Sequence, residues 1–380
     1  MSFELGFFEY LNVADSERIH SQMIAWLLSK DSPLGSERKS TFLNKFLGLG
    51  QKAADYKSID AITEALSVDI LIRADDDIYI IENKLKSSEH SEQLARYLEK
   101  VEEAITSNAV FFKDGKFRGA YFLTLIGEKA TDEEWKNITY KELLDAMRTI
   151  EPLPEGSDQI ISAYIKTLTN LDLARDAFEK DHKKFKNVFT DGGKKKTEKR
   201  FSELEPSPEA QYIANCQLET IFQKLFFRKI ADDLSWKLEN GGVGETRGSA
   251  LCQVDFCKSE VPVLVLDDRE YKFGFQVQGS SVKLNFQIVD DYKKSQKKWI
   301  EGVVGVFRDF VKEKNKSSAN LKLRVNAPRS LAYVSLSYKS YKLCPCEYEF
   351  DELCKKYERC RQDILSLAKE LASKIQQVNS

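Results

Sequence analysis

Two short runs of strand-forming residues, Leu66–Arg73 (LSVDILIR) and Ile78–Leu85 (IYIIENKL), stand four residues apart, three of them Asp, and carry charges among their isoleucines. Their Ile, Val and Tyr content predicts two β-strands, and Ala74–Asp77 has the length and polarity of a hairpin link. Pairing Arg73 with Ile78 sets Asp69 opposite Glu82, and the two-residue period of a strand brings Lys84 to the same face. The hairpin therefore gathers two carboxylates and an ammonium.

Like charges facing each other destabilise a sheet, and ionised groups on apolar strands are costly unless paired. Two readings follow. Asp69, Glu82 and Lys84 form a structural ion pair on a solvated sheet face, or they hold a divalent cation. Oxygen-only carboxylate ligands suit Mg²⁺ or Mn²⁺, which keep several waters and take one or two protein carboxylates plus a substrate phosphate. Ile70, Ile72, Ile78, Ile80 and Ile81 populate both faces, so the hairpin reads as central and buried, which favours the metal.

The order of these residues resembles the PD-(D/E)xK nucleases, the restriction-endonuclease-like superfamily. Val68-Asp69 followed by Ile81-Glu82-Asn83-Lys84 is similar to a bacterial branch whose second motif is usually Glu-Asn-Lys. Ser16-Glu17-Arg18-Ile19-His20-Ser21, ahead of Ala25-Trp26-Leu27-Leu28, resembles that branch's first helix. Gln93 and Tyr97 resemble the Gln-x-x-x-Tyr element of recombination-type exonucleases, and Glu64 stands where the branch often carries an acid before the Asp. Val68 replaces the proline that names the superfamily, a position with no ligand role. The resemblance covers about the first 180 residues. It implies an α/β fold, a restriction-endonuclease-like mixed sheet flanked by helices with an α-β-β-β-α-β core. It also implies a Mg²⁺-dependent (or Mn²⁺-dependent) nuclease acting on nucleic acid, DNA first, in bacterial anti-phage defence or other DNA processing.

Glu17 and His20 are three apart on a helix whose Ile19, Met23, Trp26 and Leu27 recur with helical spacing. The resemblance assigns Glu17 to the metal or its water shell beside Asp69 and Glu82. His20 is either a helix-face histidine with a satisfied hydrogen bond or a substrate-orienting group. Gln93, Arg96 and Tyr97 share one face of the next helix. They read as an exposed polar face or as groups that orient substrate phosphate or the lysine. The competing function class is a catalytically silent nucleic-acid sensor or scaffold that keeps the fold.

At 380 residues the chain is too long for one core, and two domains are expected. The expected boundaries are a nuclease-like domain over 1–182, a basic linker over 183–206 and an α+β domain over 207–380 for substrate, partner or self-association. Hydrophobic content of 42%, charged content of 31% and a mean hydropathy of −0.44 describe a globular, non-membrane chain. The start MSFELGFFEYL lacks a signal-peptide pattern, and a cytoplasmic location is expected. Seven cysteines fit reduced thiols, and the spacing of Cys344, Cys346, Cys354 and Cys360 matches no common zinc pattern. The net charge of −2 argues against a protein that coats nucleic acid, yet a local groove and a bound metal attract phosphate on an acidic chain.

Lys183, Lys184 and Lys186 with Phe185 and Phe189, then Gly192-Gly193-Lys194-Lys195-Lys196 and Lys199-Arg200, read as a solvated linker or a contact to a nucleic-acid backbone. Asp114-Gly115 marks a turn before a strand over 118–126. Thr139 and Glu142 form a capping box, and a helix is expected over 157–180. Ser207-Pro208 starts a helix expected to reach Leu238. Strands follow near 251–257, 261–266, 271–278, 281–288 and 331–341, with helices over 293–312 and 349–377. Gly241–Gly244 reads as a plain turn. Trp299, Phe307, Tyr338 and Tyr341 read as core aromatics or as a binding face.

Overall fold

A computed structural model of the chain describes residues 4–50, 55–86, 89, 93–152, 156, 158–189, 207–238, 242–246, 249–266, 268–289, 301–317, 322–327 and 333–379. The chain divides into two compact units, Met1–Lys180 with Leu204–Phe222 and Asp181–Glu203 with Gln223–Ser380.

The first unit is built on a five-stranded sheet, β1 (Ile59–Thr63), β2 (Ile70–Ala74), β3 (Asp77–Lys84), β4 (Lys116–Thr124) and β5 (Trp135–Thr139), in that spatial order. β1, β2 and β3 are antiparallel, while β4 and β5 run parallel to β3. The hairpin register pairs Arg73 with Ile78 and Ile70 with Ile81, as the sequence pattern requires. Helices α1 (Phe7–Tyr10), α2 (Glu17–Leu28) and α3 (Ser36–Phe46) precede the sheet. α4 (Gln93–Thr106) joins β3 to β4, and α5 (Tyr140–Arg148) and α6 (Asp158–Lys180) follow β5. A mixed sheet flanked by helices, with α2, three strands, α4 and β4 in sequence, is the restriction-endonuclease-like arrangement.

Strand alternation assigns the faces. Ile78, Ile80 and Leu71 pack with Leu94, Tyr97, Leu98 and Val101 of α4 in one buried cluster, while Ile70, Ile72, Tyr79 and Ile81 are buried on the opposite side. Complete burial of one such aliphatic side chain is worth about 1.5–3 kcal/mol. The hairpin is thus held from both faces. Thr139 caps α5 through the expected box, its Oγ1 accepting from the Glu142 N–H at 3.3 Å. Ser207 caps α7 (Pro208–Asn215) by accepting from the Ala210 N–H at 3.1 Å. The long helix expected from 207 to 238 is instead two. Gln217 turns left-handed at φ 52° and ends the first, and α8 (Glu219–Asp233) begins afresh.

The second unit contains a seven-stranded antiparallel sheet ordered β11 (Leu323–Asn326), β12 (Tyr333–Lys342), β10 (Ser281–Ile288), β9 (Arg269–Gln278), β7 (Ser249–Asp255), β6 (Gly244–Thr246), with β8 (Leu264–Leu266) also paired to β9. α9 (Glu301–Ser317) and α10 (Phe350–Asn379) complete it. Phe185 and Phe189, read on the sequence as part of a linker or a nucleic-acid contact, are buried in this unit and unavailable for either role. Lys183 is paired with Glu349 and Lys184 with Asp181. Gly192–Arg200 lies outside the described residues. So do Trp299 and the side chains of Tyr338 and Tyr341, while Phe307 packs in the core against Phe286. No helix among the described residues is long and apolar enough to cross a membrane.

Candidate active site

The chain reaches Asp69 through a turn of unusual backbone. Glu64, Leu66 and Ser67 all adopt positive φ, at 58°, 55° and 71°. That conformation costs a side-chain-bearing residue about 1–2 kcal/mol. Two features offset it: Val68 is fully buried with Leu66 packed beside it, and Lys100 of α4 donates to Ser67 Oγ at 3.1 Å and to the Leu66 carbonyl at 3.4 Å. The Val68 N–H donates to the Ala65 carbonyl at 2.9 Å, a bond that proline at this position could not make. The Glu64 side chain is turned outward and ion-paired with Arg18 at 3.3 Å, while its N–H donates to the Asp69 carbonyl at 3.3 Å.

Asp69 sits one residue before β2, and its Oδ2 accepts from the Asn83 N–H at 2.7 Å. Glu82 and Lys84 follow Ile78 and Ile80 onto the α4 side of β3. Glu82 is 1% exposed; its Oε1 receives Lys84 Nζ at 2.5 Å and Gln93 Nε2 at 2.9 Å. Its Oε2 is buried with no hydrogen-bond partner among the described residues. Gln93 also donates to Tyr97 Oη at 2.5 Å, so the pair predicted on α4 lies against the acid. Arg96 lies on the exposed side of the same helix.

Glu17 opens α2, and its Oε1 accepts from the N–H groups of Leu85 and Lys86 at 2.8 and 2.7 Å. It thereby grips the chain just after Lys84. His20, three residues on, faces inward. Nε2 donates to the Ala14 carbonyl at 2.9 Å, which leaves Nδ1 to accept from the Tyr164 hydroxyl at 3.0 Å. Burial holds its pKa down at about 4, so the ring is neutral. Both nitrogens serve the fold, and the ring meets Tyr140 edge-on.

Burial, then the neighbouring Asp69 charge, pushes the Glu82 pKa up to about 8. Asp69 is likewise raised, burial first. Burial opposes the Lys84 ammonium, yet Glu82, Asp69 and Glu17 together overcome it and keep the lysine protonated. Two close acids beside one ammonium in a dry place thus hold one proton between them at neutral pH.

Sequence reasoning gave Asn83 no role of its own. Its Nδ2 donates to the Glu17 carbonyl at 3.0 Å and to Ser21 Oγ at 3.1 Å, and its Oδ1 accepts from the Tyr140 hydroxyl at 2.9 Å. It is fully buried and ties α2, β3 and α5 together from the side opposite the acids. An amide between two charged residues on an apolar strand was the available signal, since a buried amide needs partners.

Among the described residues no three His, Cys, Asp or Glu side chains converge as a ligand set. Asp69 and Glu82 do lie together, with a buried oxygen of Glu82 lacking a partner. Such an all-oxygen pair fits one hard divalent cation that keeps waters of its own.

Residues 5–187 match the family described as the PD-(D/E)XK nuclease superfamily. Over this region, just under half of the chain, the protein is similar to that superfamily, whose nucleases are hydrolases that typically use divalent metal ions. Comparison with curated proteins and with solved structures gives no match.

Proposed function

We propose that the first unit is a metal-dependent nuclease that hydrolyses phosphodiester bonds of nucleic acid. DNA is the favoured substrate, because the Gln93–Tyr97 spacing resembles that of recombination-type exonucleases. The observation that carries the proposal is the pairing of Asp69 with a buried Glu82, one oxygen unpartnered and the other held by Lys84. Asp69 and Glu82 are the residues that would hold Mg²⁺ or Mn²⁺, with Glu17 alongside. When bound, the ion lowers the pKa of a coordinated water and neutralises charge on the phosphate.

Lys84 keeps its ammonium where charge develops on the scissile phosphate, an electrostatic role. Gln93 fixes the rotamer of Glu82, and Tyr97 fixes Gln93. Glu17 anchors the backbone at Leu85 and Lys86, which limits the motion of Lys84. Arg96, exposed on α4, is assigned to the substrate backbone, and His20 orients substrate indirectly by holding α2 in place. A silent scaffold has no reason to keep dehydrated acids that destabilise it, which disfavours the binding-only reading. Anti-phage defence is the proposed setting.

The test is cleavage of linear, circular and single-stranded DNA and of RNA with Mg²⁺, Mn²⁺ or chelator. Asp69→Ala and Lys84→Ala should each lower the rate about a hundredfold or more. No metal-dependent cleavage of any polymer transfers the protein to the binding class, and undiminished cleavage by both variants places the chemistry elsewhere.

A further inference from the structure

Strands β9 and β10 alternate strictly. Tyr271, Phe273, Phe275 and Val277 of β9 and Val282, Leu284 and Phe286 of β10 are buried. This is the helix-facing side, where Trp236 meets Phe275 at 5.2 Å and Phe286 meets Phe307 at 5.8 Å. The intervening residues form the other face, and the strand register arranges them in rows.

Across β9, β10, β12 and β11 the central row is Gly274, Asn285, Ser335 and Asn326. All are short. The row on one side is Gln253, Gln276, Lys283, Ser337 and Arg324, and on the other Lys272, Gln287 and Tyr333. Short residues between longer ones make a trough across the strands, about 19 Å over five of them at ~4.8 Å each. Asn285 and Ser335, on its floor, are 3% and 4% exposed.

Amides and hydroxyls dominate this surface. Of its acids, Asp255 lies opposite Gly274 and is neutralised by Lys272 at 3.0 Å, while Glu270 stands exposed at the outer end of β9. Gln253 accepts from Gln276 Nε2 at 3.2 Å, while its own Nε2 is buried with no partner among the described residues. Asp255 Oδ1 is buried and unpartnered as well. A dehydrated donor and a dehydrated acceptor thus stand two residues apart on one face of β7, where each costs stability unless matched. Gly274 places no side chain between them, and a Cβ there would come within 3.1 Å of Gln253 Nε2.

Adjacent acceptor and donor groups are what a nucleobase edge presents to Asn, Gln and Asp side chains. Lys283 and Arg324 supply charge for a phosphate backbone. Tyr333, 44% exposed at the flank, offers a stacking surface. We propose that this trough binds a single strand of nucleic acid, whose unpaired bases reach Gln253 and Asp255, with Asn285 held on the floor by its bonds to Gln287 and Gln253; the assignment rests on the reading that the first unit acts on nucleic acid.

The test uses the full-length Asp69→Asn protein in chelator, so that neither cleavage nor metal enters, with fluorescence anisotropy of short labelled dT, dA and dC homopolymers. Lys283→Glu with Arg324→Glu should weaken binding about tenfold or more and flatten the salt dependence by about one to two phosphate contacts. Gln253→Leu, which removes an unmatched donor and should melt no lower than the parent, should bring the homopolymer affinities together. The proposal is overturned by a parent that binds no oligonucleotide or by a charge-reversed variant within about twofold of it. Displacement by poly-glutamate as efficient as by unlabelled DNA also overturns it, and marks a site for acidic protein. Because the readout is binding alone, failure of the catalytic assignment leaves it measurable, and unaltered binding by the charge-reversed variant refutes only the trough.

Discussion

The buried acid pair and the buried histidine make opposite demands on protonation, and each carries a prediction. Burial pushes both Asp69 and Glu82 upward, the Asp69 charge raises Glu82 further and the Glu17 charge raises Asp69, so the metal-free site is under electrostatic strain. Asp69→Asn keeps an oxygen to accept from the Asn83 N–H while removing one charge. In chelator it should stabilise the protein by about 1 kcal/mol, roughly 2–4 °C in the transition of a unit this size, while abolishing cleavage; a variant that melts below the parent refutes the strain. His20 works through pH. Its folded pKa of about 4 lies below the ordinary 6.5, so the neutral ring favours the fold above pH 6.5. That contribution is lost as pH falls from 6.5 toward 4, because the unfolded chain takes up the proton first. The total is about 3 kcal/mol. Urea midpoints at pH 7 and pH 4.5 should diverge more in the parent than in His20→Gln, and equal pH slopes refute the assignment.

Among the elements, the decisive contact is the clamp of α2 and α5 onto β3 through one amide. Asn83→Leu leaves the buried Tyr140 hydroxyl without its acceptor and takes a donor from Ser21 Oγ and the Glu17 carbonyl, which keep their 3.0 Å bond to each other, a loss of about 1–3 kcal/mol. Tyr140→Phe removes one of these bonds and should cost about 1 kcal/mol. Because α2 carries Glu17, Asn83→Leu should also lower kcat more than it raises KM; an unchanged ratio of the two would make the amide purely structural. This clamp was illegible in the sequence, since its partners lie 57 to 66 positions away. The hairpin register was legible because it depends only on period two and a short link. β1 and β5 were missed, being five residues each with ordinary polar content. The positive-φ turn at 64–67 escaped for another reason: no glycine marks it, and burial of Val68 with support from Lys100 permits it. Gln217, likewise not a glycine, concealed the break between α7 and α8.

At the scale of the whole molecule, the division into two units predicts two thermal transitions. Asp69, Glu82 and Glu17 all belong to the first unit. A ligand that binds only the folded form stabilises it by RT ln(1 + [L]/Kd), about 2.7 kcal/mol at a hundredfold excess over Kd. Mg²⁺ or Mn²⁺ should therefore raise one thermal transition by several degrees and leave the other in place. Hydrogen exchange should slow in α2, β3 and the start of α4, where the acids and their supports lie, and not in β7, β9 or β10. Catalytic turnover is not needed for either measurement, so both report on the cation site even without a known substrate. Glu82→Ala should remove the calorimetric shift and the local protection together. Should the cation shift both transitions, or shift the first equally in Glu82→Ala, it binds somewhere other than between these two carboxylates.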